Sequence, residues 1–127
     1  SMYYPADYGH VPHTLCDDGD PVDVLVLISN PTFPGCIVEA QPIGVLKMRD
    51  EKGLDDKVLA VSVSDPNYYG VNDIKDVPEG FLAEVGHFFE QYKALEKGKY
   101  SEVEGWYNAE VAKKVILEAI ENAKKKQ

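Results

Sequence analysis

Apolar residues alternate with polar ones and then run together at residues 22–28 (VDVLVLI), the pattern of a strand that enters a buried layer. Pro31, Pro34 and Gly35 then impose a loop. Residues 36–48 (CIVEAQPIGVLKM) read as a long strand with a bend or bulge near Pro42 and Gly44, because neither residue sits comfortably in a central ladder. Residues 57–63 (KVLAVSV) read as a third strand, paired with the second as a hairpin across the polar turn at 50–56. Bends of this kind close small barrels. In the last third the period changes: Leu82, Val85, Phe89, Tyr92 and Leu95 recur at three and four, so a helix is predicted from near Pro78 to before Gly98. Pro78 suits a first helical position, and Asp76 and Glu79 suit the positive end of the helix dipole. Asn108 is a good N-cap for a final helix with Val111, Val115, Ile116, Ala119 and Ala123 as its apolar stripe. Lys124, Lys125 and Lys126 complement its C-terminal dipole, and Glu104-Gly105-Trp106 reads as a packing corner with Trp106 over the barrel end.

A chain of 127 residues suits one domain with one core. Twenty-two acidic against thirteen basic residues give a formal charge of -9, which repels nucleic acid and anionic membranes. No apolar run approaches the roughly 20 residues of a membrane span, and the start carries no signal-like core, so the expected compartment is the cytoplasm. Cys16 and Cys36 are expected as reduced thiols.

Candidate chemistry concentrates in two acidic turns. Asp18-Gly19-Asp20-Pro21-Val22-Asp23 sets three carboxylates at i, i+2 and i+5, with Asp18 and Asp20 in the turn and Asp23 entering the strand behind it. Oxygen-only donors suit magnesium or calcium rather than zinc, although these six residues alone fit a solvated acidic turn as well. Asp50, Asp55 and Asp56 form a second acidic turn between two apolar strands, which makes a chance cluster a poorer account. His10, His13 and His87 lack zinc-ligand spacing and are given structural or interface roles.

Together with Tyr4-Pro5, Tyr8-Gly9, Pro42-Ile43-Gly44-Val45-Leu46-Lys47-Met48, the loop at 50–57 and His87-Phe88-Phe89-Glu90 followed by Tyr92-Lys93, this order of blocks resembles the soluble family I inorganic pyrophosphatases over nearly the whole chain. The resemblance implies an α+β fold, an OB-fold-like small β-barrel packed with two C-terminal helices, and one catalytic domain over residues 1–127. It implies hydrolysis of pyrophosphate to two orthophosphates with several Mg2+ ions, Mn2+ being a possible substitute. Asp18, Asp23, Asp50 and Asp55 resemble the family's metal ligands, Asp20 its general base, and Tyr4, Tyr8, Lys57, Tyr92 and Lys93 its substrate-binding groups. Lys99 is a weaker candidate, more readily read as a solvated turn residue. Partners implied are pyrophosphate, phosphate and further copies of the chain, a hexamer if bacterial in type, with His87 in a region that packs subunits together in bacterial relatives. Family members carry a leading segment before the Tyr-Pro block, so the chain is expected to be N-terminally truncated with its barrel incomplete. The alternative is a truncated form or paralogue that binds divalent metal and phosphate without turnover.

Overall fold

In the computed structural model of the chain, residues 6–17, 19–30, 32–95 and 101–126 are described, apart from the side chains of residues 92–95 and 101. Among them, strands β1 (Ala6–Val11), β2 (Val22–Leu27), β3 (Ala40–Asp50), β4 (Gly53–Leu54), β5 (Lys57–Ser62) and β6 (Ser101–Asn108) form one sheet. Its order is β1-β2-β5-β3-β4, with β6 also paired to β3. All pairs are antiparallel except β2 and β5, which run parallel with Asp23 opposite Lys57. Helices α1 (Glu79–Leu95) and α2 (Ala109–Lys125) complete an α+β arrangement in which the sheet does not close.

Alternating side chains divide β2, β3 and β5 between two faces. Leu25, Leu27, Leu46, Met48, Leu59 and Val61 pack with Phe81, Leu82, Val85 and Phe89 of α1. Val22, Val24, Val26, Val45, Val58 and Ala60 pack with Ala112 and Ala119 of α2. Residues 24–27 of β2 and 58–61 of β5 are therefore apolar without interruption because both faces of these strands are buried. Each fully buried aliphatic side chain here is worth about 1.5–3 kcal/mol of transfer free energy.

The expected strands, their hairpin and both helices are present, and the register of β3 against β5 shifts between Pro42 and Gly44 as anticipated. The bulge brings the backbone close to its neighbours: a Cβ at position 44 would collide with the Ile74 Cγ2 methyl. Asn108 caps α2, its Oδ1 accepting from Val111 N–H at 3.1 Å. Two expectations are corrected. Residues 36–39 precede β3 rather than belonging to it. The last third also holds a strand, β6, where a corner was expected at Glu104-Gly105-Trp106: Trp106 pairs with Leu46 and its indole N–H donates to Leu82 O at 2.9 Å. Gly105 absorbs the accompanying bulge with φ of 140°.

Candidate active site

Parallel pairing of β2 with β5 places Lys57 beside Asp23 although they lie 34 residues apart in the chain. The Lys57 ammonium donates to Asp23 Oδ2 at 2.5 Å and to Asp55 Oδ1 at 3.1 Å. It also lies 5.6 Å from the centre of the Phe89 ring on α1, within cation–π range. Burial works against its charge, but the hydrogen bonds and attraction of Asp23 and Asp55 outweigh this and hold the pKa above the usual lysine value. Lys57 is therefore a buried donor held in its charged form at neutral pH, on the α1 face of the sheet.

A second line of contacts comes from β1. His10 is the register partner of Asp23, and its Nε2 lies 3.3 Å from Asp23 Oδ1. The Tyr8 ring meets His10 edge-on at 6.3 Å and Phe89 at 6.0 Å. Tyr8, His10, Asp23, Lys57 and Phe89 thus form a closed circuit of contacts, each residue touching the next. His10 and Tyr8 remain half exposed at its rim, so the circuit opens to solvent.

The two acidic turns are tied together physically. Asp17 Oδ2 accepts from Leu54 N–H at 3.1 Å, joining the turn before β2 to the turn before β5. Gly53 makes that contact possible: its φ of 118° suits glycine, and a Cβ there would meet Asp17 Oδ2 at 2.9 Å. Thr14, buried in the same turn, accepts from Val22 N–H at 2.9 Å and donates to Val11 O at 2.6 Å, which fixes how β1 feeds β2. Within the second turn Asp50 accepts from Lys52 N–H at 2.8 Å, and Asp56 from Met48 N–H at 3.2 Å. Asp56 is buried, and desolvation raises its pKa despite that hydrogen bond and the nearby Lys47.

Of the residues singled out in the sequence, Asp23, Asp55 and Lys57 are in direct contact. Tyr8 joins them through Phe89; Asp50 is buried at the end of β3, and Asp20 is exposed in the first turn. Tyr4, Asp18 and Lys99 lie outside the described residues, as do the side chains of Tyr92 and Lys93. His10, given a structural or interface role from sequence, faces Asp23. Asp17 and Phe89 were not read as site residues; the available signals were Asp17 beside the Asp18 motif and the spacing of Tyr8 and His10 by two on one strand face.

The donors are anionic oxygens, and Asp23 and Asp55 together outweigh the single charge of Lys57 at a largely buried place. That chemistry fits a hard divalent cation. Among the described residues no three histidine, cysteine or carboxylate groups converge as a ready metal site. The described residues also contain no helix long and apolar enough to cross a membrane.

The model of the family described as inorganic pyrophosphatase matches residues 1–124. The inorganic pyrophosphatase of Escherichia coli K12 is 51% identical over 128 residues, covering 99% of this chain and 73% of the relative. That of Xylella fastidiosa 9a5c is 50% identical over 125 residues, covering 97% and 70%. The crystal structure of inorganic pyrophosphatase from Thermus thermophilus superposes with a TM-score of 0.87 at 47% identity, covering 98% of this chain and 72% of that one. With a matching family model, half-identical relatives and a shared fold beneath the Asp23, Asp55 and Lys57 cluster, the chain belongs to the inorganic pyrophosphatase family.

Proposed function

We propose that this chain hydrolyses inorganic pyrophosphate to two orthophosphates on the face of β2 and β5 that carries Asp23, Lys57 and Asp55. The observation that carries the reading is the Lys57 ammonium held charged between two carboxylates, in a chain half identical to proteins named for this activity. Water oxygen attacks one phosphorus, the bridging P–O bond breaks, and the second phosphate leaves with that electron pair. The proton given up by the water needs an acceptor, which we assign to Asp20, exposed at the turn where solvent reaches it.

Asp18, Asp23, Asp50 and Asp55 are assigned to hold divalent cations, with magnesium the cation of choice. Bound cations would screen the substrate's oxygens and acidify the water. Lys57 supplies a fixed positive charge, positioned to exchange a carboxylate contact for a phosphate oxygen as substrate arrives. Tyr8 presents a hydroxyl-bearing ring at the rim, and Tyr4, Tyr92 and Lys93 are assigned to the phosphates on the strength of their family motif. A cytoplasmic setting and assembly with further copies belong to the same reading; His87 and Phe88 stand exposed on α1 as candidate contacts between copies.

Phosphate release from magnesium pyrophosphate tests the proposal. Asp20→Asn should lower turnover by about a hundredfold to ten-thousandfold with metal affinity near normal, whereas Asp23→Asn should damage both. Release of phosphate unaffected by either substitution would overturn the assignment. Saturable metal and phosphate binding without turnover would instead identify the non-catalytic form.

A further inference from the structure

Both oxygens of Asp23 are engaged by side chains. Oδ2 accepts from Lys57, and Oδ1 faces His10 Nε2 at 3.3 Å. The two contacts differ in kind. Lys57 is buried and locked between Asp23, Asp55 and Phe89. The His10 side chain is 57% exposed and joins the site from β1, which has β2 as its partner in the sheet path. Strand register aims His10 at Asp23, because directly opposed residues of an antiparallel pair bring their side chains into reach. The edge-on contact with Tyr8 braces the imidazole from the other side.

A divalent cation at Asp23 requires an oxygen lone pair, and Oδ1 is the one not occupied by the buried lysine. We propose that His10 is a positioning residue that latches Asp23 Oδ1 in the cation-free site and must release it when a divalent cation binds, so that His10 weakens cation affinity at Asp23. The proposal rests on Asp23 being a metal ligand. Because a 3.3 Å contact between a half-exposed ring and a carboxylate is weak and partly solvated, the latch is worth only a small factor in affinity. It sets where in cation concentration the site fills; the reaction itself does not involve it. His10 exchanges the carboxylate for water on release, a move its exposure permits without disturbing the core.

The test is calorimetric titration of the metal-free 127-residue chain with magnesium chloride or manganese chloride, in parallel with imidazole proton resonances followed through the magnesium titration. His10→Phe keeps a ring against Tyr8 but removes the polar nitrogen facing Asp23, and should bind about two- to fivefold more tightly, the effect of one exposed polar contact. His10→Gln keeps an amide donor and should return affinity close to that of the unsubstituted chain. The His10 resonances should shift in step with magnesium saturation. Unchanged or weaker affinity in His10→Phe, with Asp23→Asn still abolishing binding, overturns the latch while leaving the metal reading intact. Equal binding by the unsubstituted chain and Asp23→Asn, or none by either, removes the metal reading and the latch with it. Imidazole resonances that stay still through saturation overturn the latch without recourse to any variant.

Discussion

Lys57 is the residue on which the site's electrostatics turn. Its ammonium lies between the Asp23 and Asp55 carboxylates, and removing one member of a buried ion network leaves the others uncompensated. Lys57→Met should therefore lower unfolding stability by about 3–5 kcal/mol in metal-free buffer at pH 7, read by urea denaturation. The raised pKa makes this contribution present at neutral pH and lost only as pH climbs through the folded-state lysine value. Asp56 has the opposite sign. Burial raises its carboxyl pKa, so ionising it costs stability above the usual carboxylate range, and that cost disappears as acid protonates it in both states. Asp56→Asn keeps an oxygen for Met48 N–H and should raise the melting temperature at pH 7, with the gain shrinking as pH falls toward 4. A variant that melts lower than the parent at neutral pH would contradict this account.

Short polar ties at the ends of elements supplement the strand ladders and the two apolar clusters that join them. The Asp17 to Leu54 hydrogen bond holds the turn before β2 against β4, and Gly53 supplies both the backbone angle and the space. Gly53→Ala should cost about 1–3 kcal/mol through backbone strain, with crowding of Asp17 in addition. Placing the same change in an Asp17→Ala background separates the two contributions: crowding is relieved, so the added cost should be smaller. An identical cost in both backgrounds would mean that strain alone operates. Of the elements, β2, β5, the bulged β3 and both helices were legible from period and punctuation. The strands β1 and β6 were not. β6, with sequence SEVEGWYN, mixes charges with a glycine at φ 140°, and its strand character comes from pairing with β3 and from Trp106 packing at α1.

On the scale of the whole molecule, a formal charge of -9 and a buried acidic cluster mean that divalent cations should stabilise the folded chain specifically. Magnesium at about a hundredfold over its dissociation constant should add about 2.7 kcal/mol, while sodium chloride of equal ionic strength should not reproduce the rise in melting temperature. Equal shifts from the two salts would reduce the effect to general screening. The open sheet also leaves, on its α2 side, an apolar groove of about 500 Å³ between Val24, Val26, Val58, Ala60, Ile116 and Leu117. That groove could not be foreseen from the alternation of valines, which shows only that a face is apolar and not what covers it. By itself the sequence determined the types of the longer elements, the bulge, the capped last helix and, through ordered motifs, the family and its acidic residues. These follow from local physics: period, backbone restriction and turn chemistry act within a few residues. Only the tertiary structure decided that Asp23 meets Lys57, that His10 faces the same carboxylate, and that Phe89 closes the circuit. Those contacts join residues tens of positions apart, and they depend on a parallel pairing and a strand register that many foldings of the same pattern would satisfy equally well until the side chains pack.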